Sequence, residues 1–148
     1  MSKGLVLLAE RLLVAEQQAA LALAKAQQDL KLYQQQQDAL NQYRQVYHQQ
    51  WTDLTILVEG IPAQQNAQYH AFISKLELAA TQQFEGVLQI REVLSQRREE
   101  WLGAQQRRKA VALLLDKQAV RAQQQAQRQE QKMLDEFSLR SRTQHSGL

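Results

Sequence analysis

The sequence predicts an all-α protein, two long helices forming an antiparallel coiled-coil hairpin, and three observations lead there. Among 148 residues there are only 5 glycines and 1 proline, too little turn-forming material for many short elements. Ala, Leu, Gln, Glu, Lys and Arg fill most positions, and these small or unbranched side chains lose little freedom when wound into a helix. Apolar residues recur in three-four alternation along both halves of the chain, which is the spacing of a helix-to-helix seam. The hydrophobic share of 44% is inflated by alanine, and the mean hydropathy is −0.54. A narrow seam fits this composition better than a wide globular core.

The strongest punctuation is Glu59-Gly60-Ile61-Pro62. Glycine relaxes the backbone there, and proline disfavours helix at Ile61 and lacks an amide donor. The chain is therefore expected to be one coiled-coil domain over residues 1–148, with a helix over about 5–58, a turn over about 59–65, a second helix over about 66–142 and a disordered tail over about 143–148. Asn66 is the expected N-cap of the second helix. At 1.5 Å per residue the arms would measure roughly 80 Å and roughly 115 Å. The second should overhang the first and end without an intramolecular partner.

On the first arm the predicted seam runs Leu5, Leu8, Leu12, Ala15, Ala19, Ala22 and Ala26, then after a four-residue stutter Leu30, Tyr33, Gln37, Leu40, Arg44, Tyr47, Trp51, Leu54 and Val58. On the second it runs Tyr69, Phe72, Leu76, Ala79 and Gln83, then Val87, Ile90, Leu94, Arg97, Trp101, Ala104, Arg108, Val111 and Leu115. Alanine layers let helices approach but bury little area, so they stabilise less than leucine layers at about 25 cal/mol per Å². The glutamine runs Gln34–Gln37 and Gln123–Gln125 read as neutral, solvated helical faces rather than aggregation-prone tracts.

Function classes narrow quickly. There is no cysteine, hence no disulfide and no thiolate nucleophile or metal ligand. His48, His70 and His145 have no ligand partners at metal-binding spacing, and neither a glycine-rich phosphate loop nor a nucleophile elbow occurs, so neither enzyme chemistry nor a cofactor is expected. His48 and His70 flank the turn, where they either face each other or sit on the surface. The run from Gly4 to Val14 is broken by Glu10 and Arg11 and is too short to span a bilayer, so neither a transmembrane segment nor a secretory signal is expected. Residues 91–148 carry 12 basic and 7 acidic side chains, a net of +5, and residues 1–90 carry 6 and 8, a net of −2. Arg97-Arg98 and Arg107-Arg108-Lys109 point several ways around the helix with Glu99 and Glu100 between them, which reads as a solvated face. A nucleic-acid site would need a continuous basic stripe and stacking aromatics, and Trp101 alone does not supply them.

A more informative set is Gln36, Leu40, Tyr43 and Tyr47, spaced four, three and four, with Phe72, Leu76, Ala79 and Gln83 spaced identically on the other arm. In an antiparallel hairpin the two sets lie side by side, either as seam or as an amphipathic binding patch.

Three short blocks carry a family resemblance: Tyr43-Arg44-Gln45-Val46-Tyr47, the stretch from Tyr69 to Glu77, and Gln131-Lys132-Met133-Leu134-Asp135-Glu136-Phe137. On these residues the chain resembles the flagellar type III export protein FliJ. The resemblance implies a non-catalytic coiled-coil stalk of cytoplasmic location, peripheral to the membrane-embedded export apparatus. It further implies insertion into the hexameric export ATPase ring, promotion of ring assembly, and contacts with the export gate protein FlhA and with export chaperones. The family's gate-facing patch falls on Gln36, Leu40, Tyr43, Tyr47, Phe72, Leu76, Ala79 and Gln83, the last standing where the family pattern has histidine. The part entering the ring falls on the N-terminal helix and on Lys132, Asp135, Glu136 and Phe137. A general coiled-coil scaffold, the injectisome stalk protein and a basic nucleic-acid or membrane-surface binder are the alternatives.

Overall fold

The computed structural model describes residues 3–57 and 60–146, the side chains of residues 145 and 146 excepted. It contains two helices, α1 (Lys3–Leu57) and α2 (Ala63–Ser146), and no strand among the described residues. They form an antiparallel helical hairpin. As the chain number on α1 falls from His48 through Arg44 and Gln36 to Tyr33, the contacting residue on α2 climbs from Tyr69 through Glu77 and Gln83 to Gly86. Gly60 makes the reversal with φ at 83°, a left-handed conformation in which a Cβ would be strained.

Proline, not asparagine, opens α2. The Asn66 amide donates to the Pro62 carbonyl at 3.1 Å, which makes Pro62 the acceptor of the first helical hydrogen bond and puts Asn66 inside the first turn. Proline needs no amide partner at a helix start, and its ring presets φ for the turn that follows. The other end differs as well. α2 continues to Ser146 through the segment expected to be a disordered tail, and the Thr143 hydroxyl donates to the Leu139 and Arg140 carbonyls at 3.0 and 2.9 Å. The expected seam position Val58 lies outside the described residues, as does the side chain of His145.

The chain divides into two units, one of residues Gln18–Leu102 and one of Met1–Gln17 with Gly103–Leu148. In the first, the deeply buried residues are Ala26, Tyr69, Leu76 and Val87, and Val87 is only 2% exposed. A pair of helices has one line of contact, so most seam residues are covered on one side and remain half-buried. Gly86 faces the Tyr33 ring so closely that a Cβ there would lie 2.9 Å from its Cε1. The glycine admits the aromatic ring to the seam. Arg44 donates from Nη2 to Glu77 Oε1 at 2.5 Å and from Nη1 to Asn41 Oδ1 at 3.3 Å, while its buried Nε has no hydrogen-bond partner.

In the second unit Ala104 and Val111 are buried, and Arg108 Nε donates to Glu16 Oε2 across the helix pair. That ion pair corrects the predicted register of the first turns. Leu8 and Ala15 are exposed, and the inward set is Leu5, Ala9, Leu12 and Glu16. Turning Glu16 inward gives Arg108 a counter-charge, whereas Ala15 would leave the guanidinium unpaired in the seam. Leu54, another predicted seam residue, is also exposed, because the start of α2 has only Ala63, Gln64 and Gln65 and no large apolar side chain to cover it. Every α2 seam position from Tyr69 to Leu115 is buried or half-buried as the spacing predicts. Beyond Leu115 the side chains of residues 116–140 are all exposed, so α2 outlasts its cover by α1 in this unit, as the unequal arms predict.

Candidate functional site

Two surfaces have the composition of docking sites. The first lies in the unit Gln18–Leu102, where Tyr43, Tyr47 and Trp51 recur every four residues on α1 and meet Tyr69 and Phe72 on α2. Tyr69 lies flat against Trp51, with ring centres 4.1 Å apart and planes 4° from parallel, and its other neighbour Tyr47 stacks at 5.6 Å and 11°. Tyr47 packs on Phe72 at 4.4 Å, and Tyr43 contacts both Tyr47 at 6.5 Å and Phe72 edge-on at 6.2 Å. Such offset and edge-to-face pairs are each worth about 0.5–1.5 kcal/mol beyond burial. The Tyr69 hydroxyl shares a hydrogen bond of 2.7 Å with His48 Nδ1. Its proton is held above the ordinary tyrosine range, first by burial and second by the neighbouring Tyr47. His70 also turns to Tyr69, edge-on at 5.3 Å, so both histidines near the turn are surface residues that contact the same ring.

The eight positions proposed for gate contact divide by exposure. Leu76 is seam, only 8% exposed, while Leu40, Tyr47, Phe72, Ala79 and Gln83 are half-buried. Tyr43 is 52% exposed and Gln36 is exposed. The two sets do come together. Tyr47 meets Phe72, and at the other end Gln83 donates to Gln36 Oε1 at 3.2 Å and to the Tyr33 carbonyl at 3.0 Å. Gln83 thus works as a neutral donor bridging the helices, a role that needs no charge. Beside the stacked rings runs an open groove lined by Gln50, Trp51, Leu54, Gln65, Gln68 and Tyr69. Spacing alone did not single it out, although Trp51, Leu54 and Tyr69 all stood in the predicted seam.

The second surface is the exposed arm of α2 in the other unit. Met133, Leu134, Phe137 and Leu139 present apolar side chains to solvent, with Phe137 74% exposed. Lys132, Asp135 and Glu136 are exposed among them, and Gln131 donates to Asp135 Oδ1 at 3.3 Å. Glu130, Met133, Leu134, Glu136, Phe137 and Arg140 line one shallow groove. A single helix with apolar side chains this exposed has the composition of a contact surface.

Among the described residues no group of three or more His, Asp or Glu side chains is placed to hold a metal ion, and no helix is long and apolar enough to cross a membrane. The basic residues predicted to form a solvated face are drawn partly into ion pairs: Arg97 holds Glu100 at 3.0 Å and Arg108 holds Glu16.

The architecture is that of an antiparallel helical hairpin protein with exposed aromatic and apolar side chains. Residues 4–146 match the family described as Flagellar FliJ protein, nearly the full chain, and the chain belongs to that family. No curated protein and no solved structure matches it. Membership makes it a protein related to flagellar export.

Proposed function

We propose that this chain is the stalk of a flagellar export ATPase, inserting into the hexameric ring, promoting its assembly and linking it to the export gate protein FlhA and to export chaperones. The observation that carries the reading is the exposed stretch of α2 over residues 116–140, ending in Met133, Leu134 and Phe137. Apolar side chains held out on a continuous helix are suited to burial in a narrow protein-lined opening. Lys132, Asp135, Glu136 and Phe137 are the contact residues on this arm. The aromatic patch around Tyr43 supplies a second contact, to the gate. The working location is cytoplasmic, peripheral to the membrane-embedded apparatus.

The mechanism is mechanical and allosteric. A single chain inside a sixfold ring touches its subunits unequally, so it favours one conformation in some subunits and another in the rest. That bias couples ATP turnover to the gate, while the stalk hydrolyses nothing. ATPase activity of the ring protein, measured with and without the full chain, tests the coupling. A rise that saturates with added chain, and that Phe137→Ala diminishes, is expected; unchanged activity at saturating chain would defeat the proposal.

A further inference from the structure

We infer that His48, Tyr69 and Trp51 are positioning residues for the aromatic docking surface, holding Tyr47 and through it Tyr43 in a binding-ready arrangement before any partner arrives. The inference rests on the reading of Tyr43 and Tyr47 as gate contacts and adds three residues outside the eight positions assigned to that contact. Tyr69 is buried, and its ring stacks nearly parallel to both Trp51 and Tyr47, which links the two. The 2.7 Å bond to His48 Nδ1 fixes where the Tyr69 hydroxyl sits and so fixes rotation of the ring in its plane. Tyr47 is then confined between Tyr69 and Phe72, and Tyr43 rests on both Tyr47 and Phe72.

The chain of contacts runs outward, from the buried ring to the half-exposed one. A side chain already ordered in the unbound protein loses little freedom on binding, whereas a mobile one weakens binding by the freedom it gives up. If the stack served only to close this part of the hairpin, its loss would lower thermal stability and leave the affinity of the folded protein unchanged.

Three variants of the full chain separate these roles. Tyr69→Phe keeps all three rings and removes the hydroxyl, and Trp51→Leu removes the indole ring while keeping apolar volume. His48→Asn serves as the rescue, because its Oδ1 falls near the position of the imidazole Nδ1 and can accept from Tyr69. Two measurements are made at a temperature where every variant is folded: motion of the Tyr43 ring by NMR relaxation in the unbound protein, and affinity for the purified cytoplasmic part of the gate protein. Tyr69→Phe and Trp51→Leu are expected to loosen the Tyr43 ring and raise Kd by roughly three- to tenfold, with His48→Asn close to the parent and His48→Ala like Tyr69→Phe. A Tyr43 ring as ordered in Trp51→Leu as in the parent overturns the inference, whatever the gate does. A loosened ring with gate affinity indifferent even to Tyr43→Ala upholds the positioning role and instead removes the gate from the function proposed above.

Discussion

The two units of this chain hold the same pair of helices together with different chemistry. In Gln18–Leu102 ring packing joins the helices, with Tyr33 over Gly86, Tyr47 on Phe72, Tyr69 stacked on Trp51 and Tyr47, and Leu76 and Val87 buried, and the Arg44–Glu77 pair and the Gln83 bridge add polar links. In Met1–Gln17 with Gly103–Leu148 the contact is thin: among the described residues Ala104 and Val111 are buried, and Glu16 pairs with Arg108 across the seam. Ring packing is both adhesive and specific. The seam of Leu5, Ala9, Leu12, Ala104 and Val111 has no ring packing, and there the Glu16–Arg108 pair helps set the register. The aromatic unit thus ties its exposed rings to its seam, whereas the other leaves residues 116–140 of α2 uncovered.

The largest test of this contrast sets a buried residue of one unit against an exposed residue of the other. Leu76→Ala should cost about 2–4 kcal/mol in urea unfolding, through lost burial and the cavity left behind. Phe137→Ala, at a side chain 74% exposed, should fall within about 0.5 kcal/mol. Equal effects would erase the distinction between seam and arm.

Next comes the role of charge. Arg108→Ala leaves Glu16, a side chain only 13% exposed, without its partner, and should cost about 1–2 kcal/mol. Glu77→Ala breaks a pair whose acid is 49% exposed and should cost at most about 1 kcal/mol. A double-mutant cycle at each pair, repeated at high salt, sharpens the ranking, which reverses if the Arg44–Glu77 coupling proves the larger.

Glycine substitutions should move in opposite directions. At Gly86 an added Cβ meets the Tyr33 ring at 2.9 Å, so overpacking should outweigh the helix-propensity gain and Gly86→Ala should destabilise by about 1 kcal/mol. At Gly103 the Cβ meets only the Arg107 guanidinium, nearest at 3.5 Å, and Gly103→Ala should stabilise by about 0.5–1 kcal/mol. Thermal melts of the two single variants decide it.

The smallest effect concerns Tyr69. Its proton is held more tightly in the folded chain than the ordinary tyrosine value of 10.0 would have it. Folding therefore keeps this contribution fully below about pH 10 and loses it as pH rises further, since the unfolded chain ionises first. Tyr69→Phe should show a shallower fall of stability through that range than the parent; parallel curves would mean that the phenol ionises alike in both states.

Much of this was legible in the sequence because long helices leave a periodic record. The α2 stripe from Tyr69 to Leu115 could be read residue by residue, since polar residues separate its apolar ones. The start of α1 could not. Leu5, Val6, Leu7, Leu8, Leu12, Leu13 and Val14 put apolar side chains on every side, so the pattern has no contrast, and the deciding residue is a charged one, Glu16, that hydropathy would place in solvent. Pairing with Arg108, 92 residues away in the chain, is a tertiary fact. The start of α2 misled for a related reason: Asn66 has the residue type of a cap, but Pro62 already offers a carbonyl one turn earlier. Of the docking patch, the spacing showed which residues meet across the helices but not that Leu76 turns inward while Tyr43 stays out, nor that His48 meets Tyr69.

The uncovered stretch of α2 frees a part of the chain from the demands of its own folding. Side chains from Asp116 to Arg140 need only be compatible with helix, so, if the arm docks as proposed, substitutions there are screened by the partner alone. Recognition can thus be rewritten at that end while the zipped residues stay as they are, and the protein can be refitted to an altered host machine without being redesigned.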